Sequence, residues 1–154
     1  MRLRLALLAI GLTLALLAGC GDDSDDDGTA TSGGADFELL GTWKGELSQK
    51  GLDPFRVTAT IRDLDDPAAN TVHYTGIDCG GNWTFLSEAE GGVQTGDVTR
   101  VTPVYRFREL IDRGAGGSCK GEGIVTLTPQ GDDRLGYRFR GGGIVSRGVL
   151  SRHG

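Results

Sequence analysis

The chain has 154 residues, with 16 basic and 21 acidic side chains and a formal net charge of −5. Two basic residues lie in the first 20 positions and five Asp lie in 22–27, which leaves 14 basic against 16 acidic side chains in the rest of the chain. Because nucleic acids bind surfaces with a marked excess of Lys and Arg, this balance excludes a nucleic-acid partner.

The N-terminus has the pattern of a secretory signal. Arg2 and Arg4 lie at the start of an apolar run over residues 3–18, which after Arg4 is interrupted only by Gly11 and Thr13. A bilayer span requires about 20 apolar residues, and this run ends in small residues of the kind that precede a cleavage site. A signal peptide is therefore predicted over residues 1–19, with an uncleaved membrane helix as the alternative.

Cleavage is expected before Cys20. The sequence Leu17-Ala18-Gly19-Cys20 resembles the bacterial lipobox, in which the Cys thiol is acylated and the signal is then removed. The resemblance implies a lipoprotein held by Cys20 on the extracytoplasmic face of the bacterial cell membrane, since several acyl chains anchor a protein firmly. The competing interpretation is an ordinary secretory signal with an incidental Cys.

Residues 20–36 are predicted to be the lipidated Cys and a disordered acidic tether. The segment after Cys20 has no aromatic or large aliphatic residue, and its Asp side chains repel one another. Such a composition buries too little apolar surface to offset the entropy of ordering. A calcium site in 22–27 is disfavoured because nothing in the segment fixes the carboxylates.

The remaining residues, 37–154, suffice for one domain, and their apolar and polar residues alternate with a period of two. This period is typical of half-buried β-strands, and Gly, Pro, Asn and Asp clusters separate the runs. A short helical turn at 36–40 is the one helical element considered. Eight strands are predicted, at residues 41–48, 54–63, 70–76, 82–87, 102–112, 120–129, 134–140 and 144–152.

The predicted fold is all-β. Eight short sequential strands with tight connections favour an antiparallel up-and-down barrel, because pairing the first strand with the last removes the exposed sheet edges. An eight-stranded barrel has an interior that side chains just fill or that holds one small ligand. An open two-sheet β-sandwich is the alternative.

Two cysteines lie within this domain, Cys79 and Cys119. Outside the cytoplasm two such residues usually pair, so a disulfide is predicted between them. A metal pair or a catalytic thiol is the alternative, and each would need His or Cys neighbours that the sequence does not provide.

The first predicted strand opens with Gly41-Thr42-Trp43. A Gly-x-Trp at this place resembles the lipocalin (calycin) superfamily, in which the Trp plugs one end of the barrel and an Arg of the last strand packs over it. The resemblance implies that Gly41 and Trp43 close the barrel together with Arg147 or Arg152.

A closer resemblance is to small secreted domains of actinobacteria, which occur as lipoproteins and as extracellular parts of some membrane serine/threonine protein kinases. Four motifs carry it: Gly-Thr-Trp-Lys-Gly at 41–45, Cys-Gly-Gly at 79–81, Tyr-Arg-Phe-Arg-Glu at 105–109, and Cys119. The 13 Arg, three Lys and 27 Gly of the chain suit the GC-rich genome of such an organism. The chain has no kinase domain, so the resemblance implies a fold and a compartment.

Glu109 is the main candidate for chemistry, because it shares the predicted inward face of its strand with three apolar side chains. A buried carboxylate must be paired or protonated, so Glu109 is either a ligand-binding group or a satisfied structural residue; the structural interpretation is preferred. The candidate ligand-lining residues are Tyr74, Phe85, Tyr105, Phe107, Glu109, Tyr137 and Phe139.

The sequence contains no Ser-His-Asp pattern, nucleophile elbow, phosphate loop or metal-spaced His/Cys set, so no catalytic residue, cofactor or metal site is predicted. The expectation is a monomeric, membrane-anchored module, not an enzyme, that binds or senses a small apolar ligand or an envelope component. The alternative is a structural or protein-interaction lipoprotein whose barrel is fully packed.

Overall fold

The computed structural model describes residues 37–95, 98–114 and 119–154. The predicted signal peptide (1–19) and the predicted lipidated Cys20 with its tether (20–36) lie outside these residues. The described chain consists almost entirely of β-strands. Its eight strands are β1 (Gly41–Gln49), β2 (Phe55–Ile61), β3 (Thr71–Thr75), β4 (Cys79–Thr95), β5 (Val98–Gly114), β6 (Gly121–Pro129), β7 (Arg134–Gly141) and β8 (Ile144–His153).

The strands form one closed antiparallel barrel in which each strand pairs with its neighbour in sequence. The ring closes between β1 and β8, where Thr42 lies opposite His153 and Gln49 lies opposite Ser146. The predicted up-and-down barrel is therefore confirmed. The alternative sandwich is wrong, because the pairing of β1 with β8 leaves no open sheet edge at this seam.

Alternation along the strands separates the core from the surface. In β2, Phe55, Val57, Ala59 and Ile61 are buried, while Arg56 between them is exposed. The same period holds in the other strands, so the inward residues of all eight strands meet in one hydrophobic core. Burial of these side chains is the main stabilising contribution to the fold.

β4 and β5 are longer than predicted. They pair with each other out to Thr95 and Val98, whereas β5 pairs with β6 only from Tyr105 to Ile111. The outer part is thus a two-stranded ribbon that extends past the barrel, and its residues Glu88–Glu90 are exposed. With no core face, this part of the sequence lacks the alternation from which strands were predicted.

The predicted helical turn at 36–40 is wrong for the described residues, since 37–40 have no regular secondary structure. These residues pack against the core instead, with Leu39 buried. A short 3₁₀ turn occurs elsewhere, at Pro67–Ala69, where the Asp66 side chain accepts a hydrogen bond from the Ala68 amide.

The connections define two different ends of the barrel. The β1–β2, β3–β4, β5–β6 and β7–β8 connections lie at one end, because consecutive antiparallel strands reverse direction. We call this the open end. The chain before β1, the β4–β5 ribbon and the end of β8 lie at the opposite end, which we call the closed end.

Candidate functional site

The closed end is sealed by Trp43, which is fully buried. The Phe37 ring stacks on it with centroids 5.7 Å apart, and its indole Nε1 donates to the Leu39 carbonyl at 2.8 Å. The guanidinium of Arg152 lies 4.5 Å from the centre of the Trp43 ring. A cation over an aromatic face is attracted by the ring quadrupole, so this contact stabilises the plug.

Arg152 also ties the chain before β1 to the last strand. Its guanidinium donates to the Leu40 carbonyl at 2.8 Å and to the Glu38 carbonyl. The two closing candidates of the last strand therefore differ: Arg152 packs over Trp43, whereas Arg147 is exposed and lies opposite Ser48.

Gly41 is required beside this arginine. Its φ of +136° is a conformation that other residues rarely adopt, and an added Cβ would lie 2.9 Å from Arg152 Nη1. The Gly-x-Trp motif thus has a physical reason in this structure: the Trp43 ring packs against the guanidinium, and a side chain at Gly41 would collide with it.

The open end contains a cavity of about 280 Å³. Apolar side chains form most of its wall, including Phe55, Ile111 and Phe139, while Lys120 lies among its lining residues on the β5–β6 connection. Polar side chains line it in two groups: Glu109, Tyr74 and Tyr137 form one, and Gln49 with Ser146, whose hydroxyl donates to the Gln49 Oε1 at 2.7 Å, forms the other. An apolar cavity with a few convergent polar groups is the usual form of a small-molecule site.

Glu109 is the centre of a buried hydrogen-bonded cluster, with only 3% of its surface exposed. Its Oε2 accepts from the Trp83 Nε1 at 2.7 Å and from the Tyr74 hydroxyl at 2.5 Å. The Tyr74 and Tyr137 hydroxyl oxygens lie 3.0 Å apart. Strands β3, β4, β5 and β7 therefore each contribute one residue to the cluster.

Burial dominates the electrostatics of this cluster. Desolvation raises the pKa of Glu109 above its ordinary value of 4.5, and the hydrogen bonds from Tyr74 and Trp83 lower it by less. Burial likewise raises the pKa of Tyr74 and of Tyr137 well above 10.0, so both phenols stay neutral. The carboxylate and its phenols are thus a polar group held in low-dielectric surroundings.

The structure divides the candidate ligand-lining residues between two levels of the barrel. Tyr74, Glu109, Tyr137 and Phe139 line the cavity at the open end. The others pack nearer the closed end: the Phe85 and Phe107 rings are 5.4 Å apart, and Tyr105 lies 6.3 Å from Phe37. The interior therefore contains a cavity toward the open end and is filled with aromatic rings toward the closed end.

Trp83 is the main residue that sequence reasoning missed. It is fully buried, lies directly opposite Glu109 in the β4–β5 pairing and stacks on Tyr137 at 6.2 Å. Its position two residues before Phe85 gave the signal, because both share one face of the strand. The cavity-lining residues Gln49, Leu52, Ile77 and Lys120 gave none, since they lie in or beside turns.

The predicted disulfide between Cys79 and Cys119 is confirmed. It joins Cys79, the first residue of β4, to Cys119, which lies two residues before β6. Cys79 also lines the cavity. The crosslink therefore fixes two of the four open-end connections relative to each other.

The Asp-rich turn after β2 uses its carboxylates internally. Asp63 Oδ1 accepts from the amides of Asp65 and Asp66 at 2.8 and 3.3 Å. Asn70, which is fully buried, accepts from the Arg62 amide at 2.9 Å and donates to the Asp63 carbonyl. Among the described residues no cluster of three or more His, Cys, Asp or Glu is placed to hold a metal ion.

The described part of the chain has no helix long and apolar enough to cross a membrane. The sequence matches no protein-family model, no curated protein and no solved structure. What the protein does must therefore be inferred from the chemistry of its own residues.

Proposed function

We propose that this chain is a lipid-anchored extracytoplasmic binding protein whose barrel holds one small ligand in the open-end cavity. The observation that carries the proposal is the cavity itself, with apolar walls and a single carboxylate at Glu109. A barrel that serves only as a packed scaffold would gain stability by filling this volume, because empty space forfeits dispersion contacts.

The polar cluster supports binding over a purely structural role. A buried carboxylate costs free energy even when two donors reach it, and an apolar pair of the same shape is often more stable. The presence of the Glu109 carboxylate beside a cavity is explained if a ligand completes the hydrogen bonding of that carboxylate. The phenols of Tyr74 and Tyr137 then position the carboxylate in a ligand-free barrel.

The proposed lipid anchor and the cavity are connected to opposite ends of the barrel. Cys20 is proposed as the acylated residue, and the described chain enters the barrel at Phe37, which packs at the closed end. The cavity opens at the other end. A protein tethered through residues before Phe37 can thus present its cavity away from the membrane, toward ligands in the surrounding fluid.

Native mass spectrometry of the mature protein, released from detergent micelles, tests the binding function. We expect an adduct that dissociates when the protein is denatured, and its mass gives the ligand class. A bare protein from several growth conditions, with no binding in a small-molecule screen followed by Trp fluorescence, would contradict the proposal. Trp83 reports on the site because its indole donates to Glu109.

The anchor is tested separately by metabolic labelling with a fatty-acid analogue. The Cys20→Ala variant should incorporate no label, whereas the Cys79→Ala variant should label as the parent does. Labelling of the Cys20 variant would place the anchor elsewhere.

A second function, action on a partner protein through the outer surface, is favoured by one observation. Arg138 lies directly opposite Arg147 on the outside of the barrel, and the same cross-strand row continues through Thr126 to Arg106. Like charges placed opposite each other destabilise a sheet, so an acidic partner segment would account for their presence. A photocrosslinker at Arg147 should then give one salt-sensitive adduct in whole cells that a crosslinker at exposed His73 does not.

A further inference from the structure

The hydrogen atoms of the buried cluster determine what its ligand must offer. An indole N–H can only donate, so Trp83 fixes Glu109 Oε2 as an acceptor. The Tyr74 hydroxyl lies 2.5 Å from the same oxygen and directs its single hydrogen there. The Tyr74–Tyr137 contact of 3.0 Å then requires Tyr137 to donate, which uses its only hydrogen as well.

All three hydrogens of the cluster are therefore used inside it. What the cluster can still offer to the cavity is acceptors: the second carboxylate oxygen, Oε1, and the lone pairs of the Tyr137 hydroxyl. No described side chain donates to Oε1, and this atom is not fully buried, so it stays accessible from the cavity that Glu109 lines.

A ligand group that contacts these atoms must donate hydrogen bonds. A positive charge is favoured over a neutral donor, because an ionised carboxylate in low-dielectric surroundings is stabilised most by a cation within hydrogen-bond distance. The aromatic side chains Phe55, Tyr74, Tyr137 and Phe139 line the same cavity. Their ring faces attract cations in addition.

The size and mouth of the cavity restrict the rest of the ligand. A volume of about 280 Å³ lies at the lower end of small-molecule sites. Lys120 lines the cavity on the β5–β6 connection, so a second cation at the outer end of the ligand is disfavoured.

We propose that the ligand is a small apolar molecule with one protonated primary or secondary amine, bound with its ammonium group against Glu109 Oε1 and its apolar body among Phe55, Ile111 and Phe139. This inference rests on the proposed binding function and deepens it by naming the ligand class. The ion pair that forms on binding completes the hydrogen bonding of Glu109.

Three probes that share one phenylethyl group test the charge requirement: 2-phenylethylamine, 2-phenylethanol and 3-phenylpropionate, each titrated calorimetrically into the mature protein. We expect the amine to bind at least about tenfold more tightly than the alcohol, and the carboxylate to bind most weakly. Equal binding of amine and alcohol, or tighter binding of the carboxylate, overturns the ligand class and leaves the binding function standing. Absence of binding by all three, with no co-purified adduct, overturns both.

Glu109→Gln keeps the shape of the side chain and removes its charge. We expect this variant to lose at least about tenfold in amine affinity and to keep its affinity for the alcohol. The matched control is Glu122→Gln, an exposed carboxylate on the outside of β6 whose partner is Arg108 at 3.4 Å; amine affinity should be unchanged. An equal loss for amine and alcohol in the Glu109 variant overturns the proposal.

The pH dependence of the unmodified protein keeps the test independent of the variant's folding. The groups around Glu109 are the neutral phenols of Tyr74 and Tyr137, the Trp83 indole and, among the other cavity-lining residues, the Lys120 ammonium. Amine affinity should fall as acid protonates Glu109, while affinity for the alcohol stays constant. An amine affinity that stays constant as the pH is lowered through the protonation of Glu109 contradicts the ion pair.

Discussion

Trp43 and Arg152 face each other across the β1–β8 seam, with the guanidinium carbon 4.5 Å from the centre of the indole ring. Trp43 lies in the first strand and Arg152 in the last, and Arg152 also donates to two carbonyls of the chain before β1. Arg152 is therefore the polar side chain that links all three of these segments at the closed end.

Arg152→Ala should lower the free energy of unfolding by about 1–3 kcal/mol. The change removes the cation–π contact, and it removes the donors to the Leu40 and Glu38 carbonyls. Urea unfolding followed by tryptophan fluorescence measures it. Arg147→Ala is the matched control on the same strand, and a loss of stability as large as that of the Arg152 variant would contradict the assignment.

Gly41→Ala should destabilise the barrel by about 1 kcal/mol or more, since Ala tolerates a φ of +136° poorly and its Cβ would displace Arg152 Nη1. Gly121→Ala is the control, because an added Cβ there meets no atom within 4 Å. Thermal unfolding of both variants distinguishes them, and equal midpoints would show that Gly41 is not constrained.

Removal of the disulfide by the double change Cys79→Ser and Cys119→Ser should lower stability by about 2–5 kcal/mol. The crosslink joins residues separated by 40 positions and thereby restricts the unfolded chain. Denaturant unfolding of parent and variant measures the difference. A thiol assay on the unreduced protein is the accompanying check: free thiols at both Cys79 and Cys119 would contradict the crosslink itself.

Glu109 should make stability depend on pH in an unusual direction. Its folded-state pKa is raised above 4.5 by burial, so the folded protein binds the proton more tightly than the unfolded chain does. The contribution of Glu109 to stability is complete below pH 4.5 and is lost as the pH rises through the folded-state pKa. Between pH 4.5 and the folded-state pKa of Glu109, the thermal unfolding midpoint should therefore fall less with rising pH in Glu109→Gln than in the parent. Glu122→Gln should behave as the parent does.

Arg147→Glu should raise the free energy of unfolding by about 0.2–1 kcal/mol, because it replaces a like-charged pair with Arg138 by an opposite-charged one. Arg134→Glu is the control, since Arg134 lies opposite Ser151 in the same strand pair. High salt should reduce the gain. A loss of stability at Arg147 would show that the two guanidinium groups do not repel.

The barrel was predictable because six of its strands border the core along their whole length and β4 and β5 do so along about half of theirs, and a core face imposes the period of two. The exposed Glu88–Glu90 segment of the ribbon could not be recognised in the same way, since no core face constrains it. The N-terminal residues 37–40 were misjudged because their packing on Trp43 depends on a contact with the last strand.

The candidate site was predictable in part for a related reason. The alternation of side chains along β5 predicts that Tyr105, Phe107 and Glu109 face inward, and the structure buries all three. This alternation does not show how far along the barrel axis a residue lies, because that position is set by the register and stagger of the strands. The sequence therefore could not separate Glu109, at the cavity, from Tyr105 near Phe37, nor predict that Trp83 donates to Glu109.

The order of the strands also bears on how the chain folds. Seven of the eight strand pairings join neighbours in sequence and form as hairpins, whereas the pairing of Gly45 with Leu150 spans most of the domain. Loop-closure entropy makes that seam the slow step, and the hairpin β4–β5, the longest in the barrel, is the natural place for structure to begin. The disulfide joins the start of β4 to the chain just before β6, next to this hairpin. The disulfide can therefore form before β1 pairs with β8. A chain at that stage carries the crosslink and an unpaired β1 edge, which stays exposed to pairing with other chains until β8 closes the barrel.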